Sequence, residues 1–219
     1  MKDTLERMGE FFDARLDGYE EHMLTAIEGA EEFYPFTASC LPKEERASVL
    51  DLGCGTGLEL NWYFPLNPAA QVTGIDLASG MLGALREKFG DKDLRLICGS
   101  YFEVPFGEAV FDAAVSVESL HHFTAQEKLP LYTKLARALK PGGFFILTDY
   151  FAPSEELEQL YRANYLRKKE LQGIADDGFY HYDTPLTVEH EKQVLRAAGF
   201  SEVEILRCWE NTYTLRCVK

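Results

Sequence analysis

Val49-Leu50-Asp51-Leu52-Gly53-Cys54-Gly55-Thr56-Gly57-Leu58-Glu59 decides the fold. A short apolar run stops at three glycines spaced by single residues, and a helix-like segment, Leu58–Phe64, follows. A buried strand that turns through glycines into a helix is the opening unit of a doubly wound α/β sheet. Glycine serves such a turn in two ways. It reaches positive φ without strain, and it leaves room where a ligand must lie against backbone. The dinucleotide pattern G-x-G-x-x-G/A fails in both registers, because its last position falls on Leu58 or Leu60. That failure argues against a pyrophosphate-bearing cofactor. Asp51, a carboxylate beside the loop, would repel phosphate and suits an ammonium group.

Outward from this loop the chain alternates. Apolar runs at Ser48–Leu52, Gln71–Ile75, Leu94–Cys98, Phe111–Val117 and Phe144–Tyr150 read as strands, with helical patterns at Ser79–Phe89 and Ala125–Leu139 among them. Buried runs separated by helices specify a parallel sheet covered on both faces. Pro141-Gly142-Gly143 reads as a plain turn before the fifth strand. At the C-terminus, Val203–Trp209 and Thr212–Val218 are separated only by Glu210-Asn211. Parallel neighbours need a crossover of a dozen or more residues, so this pair is an antiparallel hairpin. Asp76 ends the second strand, where a carboxylate is placed to accept hydrogen bonds from ribose hydroxyls.

The expected organisation is one domain: a helical cap over 1–46, a cofactor-binding core over 47–150, a helical and loop insertion over 151–186, and a helix with hairpin over 187–219. In the cap, Phe12, Leu16, Tyr19, Met23 and Ile27 recur at helical spacing, with Gly18 dividing the segment. The insertion carries a helical pattern over Pro153–Gly173 and an aromatic loop, Gly178–Pro185. A helix over Val188–Ala198 closes at Gly199.

Charge and composition exclude several roles. Lys and Arg number 22 against 36 Asp and Glu, a net charge of −14, which repels nucleic-acid backbones and anionic lipid. Nucleic acid is therefore an unlikely partner on these grounds. Five scattered cysteines lack the C-x-x-C spacing of a zinc or redox site and suit a reducing compartment. No signal-peptide pattern opens the sequence and no stretch is apolar enough to insert in a membrane, so a cytoplasmic location is expected. Oligomeric state is not readable.

Four blocks in order, VLDLGCGTG, GIDLASGML, FDAAVSVESLHHF and LKPGGFFILTD, together with the terminal hairpin, resemble the class I S-adenosylmethionine-dependent methyltransferases. The resemblance covers roughly Ala47 to Tyr150 and is nearest the small-molecule, quinone-biosynthesis-like branch. It implies a Rossmann-like three-layer sandwich: a seven-stranded, mostly parallel sheet with an antiparallel C-terminal strand and an N-terminal helical cap. It implies S-adenosyl-L-methionine as cofactor and in-line methyl transfer to a small-molecule acceptor.

Carried over residue by residue, the resemblance places Gly53, Cys54, Gly55, Thr56 and Gly57 around the methionine portion, with Asp51 near its ammonium. Asp76 would hold the ribose, and Leu77 and Met81 would flank the adenine. Gly99, Ser100 and Tyr101 follow the third strand. Ser100 stands where the family often has an acid for the adenine amino group. Val117 and Glu118 would pass behind the cofactor. Methyl transfer needs alignment above all, and a base only where the acceptor loses a proton. His122, or else His121, is the candidate base. Tyr19, Tyr34, Tyr150, Tyr180 and Tyr182 are candidates for substrate contact, with Trp209 a possible wall of an aromatic pocket. A metal is not expected, because adjacent residues on an extended segment point to opposite faces. The competing readings are an NAD(P)-dependent oxidoreductase and a non-catalytic cofactor-binding subunit.

Overall fold

The alternation resolves into one seven-stranded sheet in the computed structural model, which describes residues 4–175 and 178–219. The strands are β1 (Ser48–Leu52), β2 (Gln71–Asp76), β3 (Asp93–Cys98), β4 (Phe111–Val117), β5 (Leu139–Tyr150), β6 (Glu202–Trp209) and β7 (Thr212–Val218), in the spatial order β3-β2-β1-β4-β5-β7-β6. The first five are mutually parallel, and β7 runs antiparallel to both β5 and β6. The chain order reverses between β1 and β4. In open parallel sheets, ligands bind at the carboxyl ends of the strands flanking such a reversal.

Period-two alternation in β1 shows why both faces are covered. Leu50 and Leu52 pack with Leu135, Phe145 and Leu195 on one side. Val49 turns to the other, with Phe33, Tyr63, Leu85 and Ile146. The helices are α1 (Met8–Asp13), α2 (Tyr19–Ala26), α3 (Ala30–Ser39), α4 (Leu60–Leu66), α5 (Ser79–Lys88), α6 (Ala125–Ala138), α7 (Glu155–Leu171) and α8 (Val188–Ala197). A capping box of Thr124 and Glu127 starts α6. Lys128 and Tyr132 on that helix both meet the fully buried Glu191 of α8, Lys128 at 2.5 Å.

Two expectations are corrected. Pro141-Gly142-Gly143 is not a plain turn, because β5 already pairs at Leu139 with Phe111 before the register slips to Ala113 with Phe144. The bulge is held by Asp112, which accepts from Lys140 and from the Ser48 amide, both at 2.8 Å. The cap is also cut twice rather than once, at Gly18 (φ +82°) and at Gly29 (φ +77°). At Gly29 a β-carbon would come within 2.7 Å of Trp209, so glycine there lets the cap seat on β6.

The N-terminal arm and the aromatic loop, far apart in sequence, run together as a strap. Arg7 bridges Tyr180 in antiparallel fashion, Met8 donates to the Phe179 carbonyl at 2.9 Å, and His181 donates to the Glu6 carbonyl at 3.0 Å. Phe11 stacks on His181 with ring centres 3.5 Å apart. Strap and cap together roof the reversal point of the sheet. Among the described residues no helix is long and apolar enough to cross a membrane.

Candidate active site

The glycine loop behaves as a tight cradle. Gly53, Gly55 and Gly57 have φ of +73°, +49° and +72°, the left-handed region that glycine enters without strain. Their surroundings separate their roles. A β-carbon on Gly53 would lie 2.1 Å from the Ser119 hydroxyl oxygen, whereas one on Gly55 would meet only the Tyr19 ring and hydroxyl at 3.8–4.0 Å. Gly55 thus keeps the floor of the cleft bare. Gly57 turns inward, where Leu60, Leu85 and Phe89 close to 3.2 Å of the missing side chain. It packs α4 against α5 and does not border the cleft. Asp76 ties the loop to β2. It accepts the Gly55 amide on one oxygen and the Ala78 amide on the other, both at 2.8 Å. Burial raises its pKa, and those amides pull the other way.

Behind the loop lie Asp51 and Glu59, both buried and joined side chain to side chain. Burial first, and then their mutual proximity, pushes Asp51 well above the usual carboxylate range; burial likewise raises Glu59. Among the described residues, Asp51 Oδ2 and Glu59 Oε1 have no hydrogen-bond partner. Buried carboxylate oxygens left unpaired are costly, and a cation brought to the loop would relieve them. The donor set and the bare cradle therefore fit an aminoacyl nucleoside carrying an ammonium and a ribose.

One cavity adjoins this loop and a second lies beyond it. The narrow one is bordered by Gly53, Gly55, Asp76, Leu77, Met81, Tyr101, Val117, Glu118 and Ser119, with Met8, Phe12 and Tyr19 of the cap above it. The wide one, about 870 Å³, opens towards the strap and is walled by Phe11, Phe12, Tyr19, Tyr150, Trp209 and the residues of a polar cluster. Phe12, Tyr19, Glu118 and His122 border both. A methyl group passing from one cavity to the other would cross at these four side chains.

The polar cluster forms where β4 ends. Glu118 there has φ +48°, a strained value for a residue with a side chain. Leu120–His122 then form a single 3-10 turn. This overturns the premise that the two histidines sit on an extended segment facing apart: their ring centres lie 4.0 Å from one another. His121 Nδ1 is 2.5 Å from Asp149 Oδ1 at the end of β5, and Asp149 also accepts the Leu120 amide at 2.8 Å. His121 Nε2 is 3.5 Å from Asp183 Oδ1, and His122 Nδ1 is 3.1 Å from the same oxygen. Burial works against charge on His121, but Asp149 and Asp183 outweigh it and hold its pKa well above the ordinary imidazole value. Burial and the neighbouring His121 lower that of His122. Burial and Asp149 push Glu118 up to about 8.

Of the residues expected around the cofactor, Gly53, Gly55, Asp76, Leu77, Met81, Tyr101, Val117 and Glu118 border the narrow cavity. Asp51, Cys54 and Thr56 form the buried layer beneath it. Gly99 and Ser100 do not border it: Ser100 is buried, and its hydroxyl accepts the Phe102 amide at 3.2 Å, capping the turn after β3. Of the expected substrate tyrosines, Tyr19 and Tyr150 wall the wide cavity. The rings of Tyr34, Tyr180 and Tyr182 do not, and each is used elsewhere. Tyr34 stacks on Trp62, Tyr180 packs under Arg7, and Tyr182 stacks on Tyr165. Tyr182 contributes its carbonyl, 3.3 Å from His122 Nδ1. Sequence reasoning missed Glu59, Asp149 and Asp183. An acid at the carboxyl end of a strand was a usable signal for Asp149; nothing local marks Asp183.

Residues 50–147 match a family described as a methyltransferase domain. Among curated proteins the chain is 30% identical over 161 residues to a sterol 24-C-methyltransferase of Gibberella zeae, covering 69% of this chain and 39% of that one. It is 30% identical over 141 residues to a tRNA (carboxymethyluridine(34)-5-O)-methyltransferase of Arabidopsis thaliana, covering 64% and 33%. The chain spans from 27% to 60% of the length of the curated relatives it matches. Among solved structures, phosphoethanolamine N-methyltransferase 2 of Haemonchus contortus in complex with S-adenosyl-L-methionine superposes with a TM-score of 0.67 at 21% identity, covering 91% of this chain and 44% of that one.

Proposed function

We propose that this chain is a class I S-adenosylmethionine-dependent methyltransferase, as the match of residues 50–147 to a methyltransferase domain supports, and that it transfers the methyl group to a heteroatom of a small organic acceptor held in the wide cavity. The cofactor supplies the chemistry as a methyl group already activated on a sulfonium. Asp51 and Glu59 receive its ammonium, Asp76 its ribose hydroxyls, and Leu77 and Met81 flank its base. Gly55 keeps the cleft floor free of side chain. Met8, Phe12 and Tyr19 close over the narrow cavity, so cofactor exchange requires the cap to lift.

The observation that carries this reading is the shared wall. Four residues border both cavities, and His122 is one of them, beside the carboxylate-held His121. A nucleophile that bears a proton must shed it as the new bond forms. The cluster of His121, His122 and Asp183 lies where that proton departs. Phe11, Phe12, Tyr150 and Trp209 give the cavity an apolar, aromatic lining, suited to a ring or chain carrying one polar, methylatable atom. An acceptor of that size favours a small molecule over a polynucleotide, as does the net charge of −14.

Calorimetry with S-adenosylhomocysteine is expected to show one site per chain. Labelled S-adenosylmethionine, offered with a panel of small phenols, alcohols and amines and with bulk tRNA, is expected to label only small acceptors. His122→Ala is expected to lower turnover by 10²- to 10⁴-fold, the usual weight of a proton-handling group. Absence of S-adenosylhomocysteine binding, or labelling confined to tRNA, would refute the proposal.

A further inference from the structure

We propose that His121 Nε2, His122 Nδ1 and Asp183 Oδ1 form a binding site for one divalent transition-metal cation on the floor of the wide cavity. This deepens the reading of that cavity as the acceptor site, and only its catalytic consequence rests on that reading.

Three potential ligand atoms, two from the turn after β4 and one from the strap, converge within 4.8 Å of one another. Ligands about 2.0–2.2 Å from a common ion lie roughly 3.0–3.5 Å apart at tetrahedral or octahedral angles. The two distances to Asp183 Oδ1, 3.1 and 3.5 Å, fall in that range. The convergence is built rather than incidental. Asp183 is half-exposed, yet the strap is pinned beside it: the Thr184 amide donates to the His121 carbonyl at 2.9 Å.

A second, independent observation points the same way. His121 offers Nε2 to the cluster while the buried Asp149 holds its Nδ1 at 2.5 Å and is itself fixed by the Leu120 amide. A carboxylate on the non-ligating nitrogen is the arrangement that orients metal-binding histidines and strengthens their donation. Charge agrees with geometry. Asp149 and Asp183 bring two carboxylates to His121 and His122. Arg15, the one arginine or lysine among the described residues bordering the cavity, is paired with Glu6 at 2.8 Å.

Two imidazoles and one carboxylate select a borderline ion such as Zn²⁺, Mn²⁺, Fe²⁺ or Co²⁺ over Mg²⁺ or Ca²⁺. Three protein ligands leave coordination positions open to the cavity, as in catalytic rather than structural sites. An acceptor hydroxyl that filled one would become more acidic. Its proton would pass to water in the cavity, its oxygen would take the methyl carbon as the C–S bond breaks, and the sulfonium would leave as a neutral thioether.

The test uses the untagged full chain, stripped with a chelator and titrated with Co²⁺ alone, followed by visible absorption and calorimetry. S-adenosylhomocysteine binding is measured on each sample. The expected result is one Co²⁺ per chain at micromolar affinity or tighter, with a ligand-field spectrum. Asp183→Asn and His121→Gln should each weaken binding at least 100-fold. Asp149→Asn, which alters the partner of the non-ligating His121 nitrogen and keeps an acceptor for the Leu120 amide, should weaken it 10- to 100-fold. Asp183→Asn should bind S-adenosylhomocysteine as wild type does, which shows that it is folded. Absence of saturable Co²⁺ binding below millimolar in a chain that binds S-adenosylhomocysteine overturns the metal site and leaves the methyltransferase reading intact. Binding that Asp183→Asn leaves unchanged overturns it as well. Co²⁺ binding in a chain that fails to bind S-adenosylhomocysteine supports the site and refutes the proposed function instead.

Discussion

Replacing Asp51 by Asn should weaken cofactor binding and stabilise the cofactor-free protein at the same time. Asp51 is 1% exposed and shares its environment with Glu59, and one oxygen of each carboxylate lacks a partner. Asn keeps the shape, removes one charge, and can donate its amide to Glu59. A hydrogen bond to a charged group contributes about 1.5–3 kcal/mol, so S-adenosylhomocysteine should bind roughly 10- to 150-fold more weakly. The free protein should move the other way, because a buried, uncompensated acid pair is relieved. A gain of about 1 kcal/mol corresponds to about 2–4 °C in Tm for a chain of this size. The pH dependence follows from the raised pKa values of both acids. The folded state holds protons that the unfolded state has already released, so this contribution is greatest at acid pH and is lost as pH rises through the folded-state values. Wild-type stability should decline over that interval, and Asp51→Asn should flatten the decline. Cofactor affinity should rise with pH over the same interval, because the ammonium displaces a proton. It should fall again above about 8, where an α-amino group deprotonates. Calorimetry with S-adenosylhomocysteine and thermal melts from pH 5 to 9 read both. Unchanged affinity in Asp51→Asn, or a lower Tm at pH 8, would refute the placement of the ammonium.

The glycine loop separates into positions with different outcomes. Gly55→Ala meets open cleft, so its Tm should drop by only a few degrees while S-adenosylhomocysteine binding falls more than tenfold; equal losses in both would count against Gly55 as the cleft floor. Gly53→Ala strikes the Ser119 hydroxyl and should lose both stability and binding, partly recovered in the double variant with Ser119→Gly. Away from the site, Lys128→Met strands Glu191 in the core and should cost about 3–5 kcal/mol in denaturant melts; a cost under 1 kcal/mol would show that the buried pair is not ionised.

Strand positions were legible because short buried runs between helices leave little freedom, and β1, β4 and β7 have the limits their apolar runs suggested. The terminal hairpin was legible from two residues of linker. The bulge at 139–143 was not. Pro-Gly-Gly carries the marks of a turn, and only the pairing of Leu139 with Phe111 makes it part of a strand. The cofactor side of the site was similarly readable, because its contacts are local: a loop, the residue ending β2, and the residues ending β4. The acceptor side was not, because its polar atoms come from segments that meet only after folding. Asp183 reaches the histidines through a strap whose register is set by pairing with residues 6–8, more than 170 positions away. The aromatic loop therefore misled at Tyr180 and Tyr182, whose rings are consumed in holding the strap. The side chain that follows those two tyrosines matters instead: the strap delivers Asp183, charged and half-exposed, to the histidines. A short acidic residue in a loop has no periodicity to reveal it, and the same is true of the 3-10 turn that sets His121 beside His122. Sequence periodicity reports the scaffold. The chemistry sits where two non-periodic segments, the turn after β4 and the strap, are pressed together by the elements that periodicity does report.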